Sequence, residues 1–312
     1  MSDARENKLS VAPAASPAQQ SWRRFQRNRA AVLSVSFLLT LVAFILLYPL
    51  FSHFKPDALS DAQFQKPGAQ HWLGTDAHGR DLLVRLCYGA QISFVVGIIG
   101  AVVSLVIGVL WGAIAGYAGG RTDGAMMRMV DVLYSMPTII FAMVLMSAVE
   151  PSLRGWLTRS GVHEASKMAR LILLFVGLGA VSWLTMARIV RGQVLSLRTR
   201  AFVDASRALG ATPTHILARH IIPNVLGVVI VYLALTVPGI ILYESFLSFL
   251  GLGIQPPMAS WGSLIAEGAG QINPIRIYWW LLVFPGGLMV LTLLALNFIG
   301  DGLRDAWDVK GG

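Results

Sequence analysis

The chain has a single cysteine, Cys87. An internal disulfide is therefore impossible and no thiolate cluster can hold a metal. Charge is scarce as well: Asp, Glu, Lys and Arg make up 13% of the residues, against 55% hydrophobic. With a mean hydropathy of +0.64, this excludes an ordinary soluble domain and points to an all-α polytopic membrane protein. Catalytic constellations are missing too. His53, His71, His78, His163, His215 and His220 are scattered without paired metal spacing. There is no G-x-x-x-x-G-K-S/T phosphate loop and no nucleophile elbow, so neither catalytic nor metal-ligating residues are expected. No internal repeat is visible. The net charge of +9 does not imply nucleic acid, because the cations gather beside apolar runs as membrane orientation requires.

Five long apolar stretches are clear, at residues 30–51, 88–120, 132–149, 225–243 and 277–300. A sixth, 171–187, is short for a span of about 20 residues, but Arg170 and Arg188 at its ends can snorkel and extend it. Six transmembrane helices are expected. The first lacks a small-residue cleavage pattern and is long enough to cross, so it reads as an anchor. Arg23, Arg24, Arg27 and Arg29 precede it and place the amino end in the cytoplasm. Four spans later comes a second basic stretch with Arg191, Arg198, Arg200, Arg207 and Arg219, which the even count returns to the same side. Two further spans bring Arg304 and Lys310 there also. Arg154, Arg159, Lys167 and Arg170 dissent, since this topology leaves them outside.

The stretch 191–224 is the most informative feature. It reads as two short helices with a sharp break. Phe202 to Leu209 form the first, and Gly210 leaves it at low steric cost. Thr212 can cap the second, with Pro213 at its first position, where a missing N–H does no harm. Pro223 marks the start of the next span. Such a compact hook on one side of a membrane chain suits a grip on something in the cytosol.

Other features have two readings. Gly100, Ser104, Gly108, Gly112 and Gly116 recur every four residues and lay a small-residue stripe along one helix face. It allows close helix packing, within this chain or against a second membrane subunit. Pro137, Pro238 before Gly239, and Pro285 before Gly286 and Gly287 kink their spans, as fixed shape or as hinges. Asp131 and Glu244 are the acids nearest to span interiors. They lie near an interface, or Glu244 lines a polar passage; an unpaired charge at mid-bilayer costs about 2.5–3.5 kcal/mol. Residues 251–276 are too polar to cross. Trp261 there fits an outer loop at the interface, or a re-entrant turn.

The hook also carries a family pattern. Asp204, Ala205 and Ser206, then Gly210 six after the acid and Pro223 nineteen after it, resemble the EAA-type motif of ABC importer permeases. Asp204 stands for the usual Glu and Ser206 for the second Ala. The runs HWLGTDAHGRDLLVRLCYGAQIS, RHIIPNVLGVV, ESFLSFLGLG, SWGSLIAEGA and FIGDGLRDAWD are similar to the peptide/nickel group, above all to C-type permeases of oligopeptide importers. The resemblance implies a type I importer fold. Residues 1–29 would be a cytoplasmic tail, partly disordered to about Gln20, and 30–88 a first helix with an outer segment. Residues 89–303 would be a five-helix core holding the coupling loop 191–224, and 304–312 a cytoplasmic tail. It implies a homologous second permease, two cytosolic ATPase subunits that bind ATP and Mg, an extracytoplasmic peptide-binding protein, and no cofactor on this chain. The competing readings are a proton-driven secondary peptide transporter working through Asp131 or Glu244, and an intramembrane enzyme, for which no reactive pair sits on one helix face.

Overall fold

The structure, a computed structural model, describes residues 17–256, 258–273 and 275–307. Within these residues the chain is helical, with no strand beyond one isolated bridge between Thr75 and Asp81. Ten continuous helices follow one another: α1 (Pro17–Arg27), α2 (Arg29–Phe51), α3 (Leu82–Ala118), α4 (Gly120–Tyr134), α5 (Thr138–Arg159), α6 (Ala165–Leu197), α7 (Ala201–Ala208), α8 (Pro213–Phe249), α9 (Trp261–Gly270) and α10 (Trp280–Trp307). Six of them, α2, α3, α5, α6, α8 and α10, are long and apolar enough to cross a membrane. The tail reading to about Gln20 and the 304–312 reading fall largely outside the described residues; the described parts continue as α1 and as the end of α10.

Several boundaries differ from those read off hydropathy. The third span starts at Thr138, not near residue 132, because α4 is a separate helix ended at Ser135. Pro137 is consequently the residue before α5 and kinks nothing, since proline suits a helix start. The fourth span is not short. Its helix runs from Ala165 to Leu197, because the arginines that seemed to end it are paired. Arg170 meets Glu150 at 3.0 Å and Arg188 meets Asp131 at 2.8 Å. Nor does a new helix begin at Pro223. The second hook helix and the fifth span form one helix, α8, with a π-type turn at Leu217–Ile221 just before the proline. That wider turn gives room to a ring that would collide with the carbonyl four residues back.

The helices have a hook end, with α1, α4 and α7, and a far end, with residues 52–81, the α5–α6 turn and α9. α3 and α6 form the spine. Their faces meet along the small-residue stripe: a side chain added at Gly108 would stand 2.6 Å from the Met186 Cβ, and one at Gly112 would run into the Ala187 carbonyl. Gly100 lies against Ile240 of α8 and Gly179 of α6, and Gly116 against Arg191 and Val194. Ser104 is fully buried. All five stripe positions thus face helices of this same chain. Of the four dissenting cations on the far ends of α5 and α6, Arg170 and Lys167 are paired, since Lys167 meets Glu164 at 3.1 Å.

Trp261 is fully buried, not anchored at an interface. It stacks edge-on against Phe94 and donates its ring N–H to the Leu86 carbonyl at 3.3 Å. Ser260 and Ser263 cap α9 reciprocally, and the helix packs among α3, α8 and α10.

Replacing Gly112 by Leu is expected to cost about 1–3 kcal/mol through overpacking of the α3–α6 contact. Gly124→Ala, where an added methyl meets nothing within 4 Å, should be neutral or stabilising. Detergent melting of both variants checks this, and an unchanged melting point for Gly112→Leu would contradict the packing.

Candidate functional site: a braced hook

The hook is built from local rules that the chain obeys residue by residue. α7 ends with Gly210 at φ +82°. The Gly210 N–H donates to the Arg207 carbonyl at 2.9 Å and the Ala211 N–H to the Ser206 carbonyl at 3.1 Å. This is the paired bonding of a Schellman stop, which requires a left-handed residue that only glycine adopts cheaply. Two residues on, the Thr212 Oγ1 accepts from the His215 N–H at 3.3 Å, with Pro213 opening α8. The bend is therefore specified within the ten residues from Ser206 to His215.

Its inner face is buried. Val203 and Ile216, one from each arm, join Val194, Ile221 and Val225 in a cluster that reaches Val109 and Ala113 of α3. Its outer face is open: Ala205, Ala208 and Gly210 are exposed, and Leu209 is 89% exposed. Asp204 is exposed and meets Arg207 at 3.0 Å, one turn on, while Ser206 is half-buried. Pro223 lies just after the π-type turn at Leu217–Ile221, as α8 continues.

Polar bonds clamp the hook to the bundle. Arg191 grips Asp123 of α4 through both carboxylate oxygens, at 2.5 and 2.6 Å. Those bonds hold the Asp123 carboxyl below the ordinary carboxylate range, against a smaller opposing effect of burial. Arg198 donates to the Gly116 carbonyl at 3.1 Å and so closes the end of α3. The Arg207 guanidinium lies 5.6 Å from the centre of the Tyr117 ring.

At the far end a second polar lock fastens residues 52–81 to α9. Arg85, 1% exposed, donates to Asp76 at 2.6 Å and to both oxygens of Glu267 at 2.6 and 2.9 Å. Arg80 reaches Asp76 at 2.7 Å and Glu267 at 3.3 Å. His71 and the helix-capping Asp81 meet beside it at 2.9 Å. Burial works to raise the Asp76 carboxyl, but Arg85, the backbone N–H groups of Arg80 and His78, and Arg80 outweigh it and hold it below 3.8.

Glu244 is fully buried near the far end of α8. Among the described residues it neither reaches an open surface nor meets a cation. Ser248 donates to it at 2.6 Å and Ser93 at 3.1 Å. Those hydroxyls in turn accept the Ile254 N–H at 3.0 Å and the Trp261 N–H at 3.3 Å. The carboxyl thus ties α3, α8, the following loop and the start of α9 together. Pro238 is buried inside α8, one turn and a half before it. Asp131 is 60% exposed and bonded to Arg188. A proton pathway through these two acids is not favoured, since one is enclosed by serines and the other is neutralised in the open.

These features define a membrane-spanning transport component with a projecting hook, and the comparisons agree. Residues 108–310 match the model of the binding-protein-dependent transport system inner membrane component, and residues 16–68 match that of the N-terminal TM domain of oligopeptide transport permease C. The chain belongs to this family of ABC importer permeases. It is 46% identical over 298 residues to the oligopeptide transport system permease protein OppC of Haemophilus influenzae, covering 94% of this chain and 88% of the relative. It is 46% identical over 297 residues to the OppC of Escherichia coli K12, covering 94% and 91%. It is 40% identical over 299 residues to the dipeptide transport system permease protein DppC of Bacillus subtilis, covering 96% and 87%. Inward-facing structures of the MetNI methionine ABC transporter share the fold, with a TM-score of 0.53 at 21% identity over 72% of this chain and 96% of theirs.

Two outcomes test the polar locks. Glu244→Gln keeps the shape and one of the two acceptors, the rotatable hydroxyls can adapt to the other, and assembly should stay intact. Glu244→Leu strands the Ser93 and Ser248 hydroxyl hydrogens and should cost about 1–3 kcal/mol or more, read as loss of folded chain from the membrane. The Asp76 carboxyl is depressed, so its contribution is complete above its unfolded value near 3.8 and disappears as pH falls through the folded value. Protease cleavage within residues 52–81 should therefore begin only below about pH 4 in the native protein. In an Asp76→Asn variant it should lose that acid step.

Proposed function

We propose that this chain forms half of the translocation pathway of an ATP-driven importer for oligopeptides and takes its energy from a partner ATPase through the hook. The observation that carries this is the hook itself. An exposed tip of Ala205, Ala208, Leu209 and Gly210 stands on a base clamped to four helices. A soft loop would absorb a push; a base that shares a core with α3, α6 and α8 passes it on. The sequence carries no G-x-x-x-x-G-K-S/T phosphate loop, which fits a subunit served by two cytosolic ATPases carrying ATP and Mg. The Asp204, Ala205, Ser206, Gly210 and Pro223 pattern is the surface they would hold.

The hook end is read as cytoplasmic. Arg23, Arg24, Arg27, Arg29, Arg121, Arg128, Arg200 and Arg219 gather there, whereas the far end buries Arg80 and Arg85 in ion pairs. Bacterial inner membrane, both termini inside, is the matching location. The pathway would be completed by a homologous second permease, and an extracytoplasmic binding protein would hand over substrate at the far end. The OppC relatives are the ground for oligopeptides as cargo.

Cysteines at Ala205 or Ala208, in a Cys87→Ala chain, should cross-link to an ATPase subunit in intact cells. Gly210→Val forces a β-branched side chain into a left-handed backbone and should abolish uptake while the protein still reaches the membrane. No captured ATPase, or normal uptake by Gly210→Val with its ATPase still bound, would reject the coupling role.

A further inference from the structure

Midway along the bundle, α5, α6 and α8 enclose a hollow of about 310 Å³, bounded at the hook end by the last residues of α4. Its lining contains no Asp, Glu, Lys, Arg or His, yet it is rich in hydroxyls. Tyr134, Tyr232 and Tyr243 border it, and their phenol groups have no hydrogen-bond partner among the described residues. Ser182 and Thr236 also face it. Their hydroxyl hydrogens are committed to the Leu178 and Tyr232 carbonyls at 2.8 and 2.7 Å, which leaves their oxygens as acceptors. Gly239, which follows the buried Pro238, leaves one side clear: an added side chain there meets nothing within 4 Å. At the hook-end lip Arg188 lies 4.1 Å from the centre of the Tyr134 ring and pairs with Asp131. These two lip charges therefore cancel each other.

Unpartnered hydroxyls are uncommon on apolar helices, where a polar group without a partner is costly. Here they converge from different helices on one space. A hydroxyl both donates and accepts, so such a wall can meet amide N–H and C=O groups in either direction along a chain. A fixed charge would hold side chains of opposite sign and repel the rest. We infer that this hollow is the chain's share of the substrate passage, and that it receives the main chain of an extended peptide through these hydroxyls, without reading its side chains. The inference rests on the importer reading above and deepens it.

The test uses the assembled transporter with its binding protein and radiolabelled neutral, acidic and basic peptides of equal length. Gly239→Leu puts bulk into the hollow from a position where an added Cβ meets nothing within 4 Å, and should lower uptake at least ten-fold while the subunits still co-purify. Tyr232→Phe and Tyr243→Phe should each raise the KM for all three peptides alike, about two- to ten-fold for a lost hydrogen bond, with peptide affinity of the isolated binding protein unchanged. A cysteine at Thr236, in a Cys87→Ala chain, should react with a methanethiosulfonate reagent, and transported peptide should slow that reaction. Normal uptake by Gly239→Leu and an unprotected cysteine in a transporter that moves peptide would overturn the inference and leave the importer reading standing. A KM rise confined to one charge class would overturn the main-chain recognition. A complete transporter that moves no peptide with the unaltered chain would bring down the importer reading, and this inference with it.

Discussion

The bidentate bond between Arg191 and Asp123 is the constraint on which the hook depends. It joins the end of the fourth span to the helix that follows the second, and Arg198 closes the neighbouring helix end from the same side. Both arginines sit on the segment that leads into the hook. With Val203 and Ile216 sunk in the span core, the two arms cannot pivot without breaking ion pairs and opening apolar surface. A contact at Leu209 is thereby felt by α3, α6 and α8 together. On the coupling proposed above, the push would be passed on by how the hook is rooted, more than by the residues at its tip.

The spine supports that arrangement. Small residues at Gly100, Ser104, Gly108, Gly112 and Gly116 let α3 and α6 approach until side chains of one meet backbone of the other. Lipid tails are as apolar as leucine, so helices in a bilayer associate by close contact and by buried hydrogen bonds rather than by exclusion from water. The protein uses both. The stripe supplies contact along the shaft, while Glu244 with its serines, and Arg85 with Asp76 and Glu267, fasten the far end. Between the two fastened ends lies the hydroxyl-bordered hollow.

The bend at Gly210, the Thr212 cap and the role of Pro213 were legible in the sequence because each depends on a few neighbouring residues and backbone rules. The number of spans was legible because length and hydropathy are local sums. What was not legible depends on distant partners. The apolar run around 171–187 looked short because Arg170 and Arg188 seemed to end it, whereas each is paired with an acid, Glu150 and Asp131, from another helix. Trp261 matched the rule for interfacial tryptophan, but its N–H finds a carbonyl on α3 and it goes inside. Glu267 lies 182 residues from Arg85, and nothing near either residue announces the other. The charges of the DAHGRD stretch beside an apolar run were the available hint that a buried partner existed. The hollow's hydroxyls come from separate helices and acquire meaning only when those helices are placed.

The central claim is that hook and spans move as one body. Spin labels at Ala208 and at Val102, an exposed position on α3, report on it directly by dipolar distance measurement in the assembled transporter, with and without ATP. The account predicts an unchanged distance within this chain while the distance from Ala208 to the hook of the partner permease changes. A hook that shifts relative to its own α3 when ATP binds would contradict it.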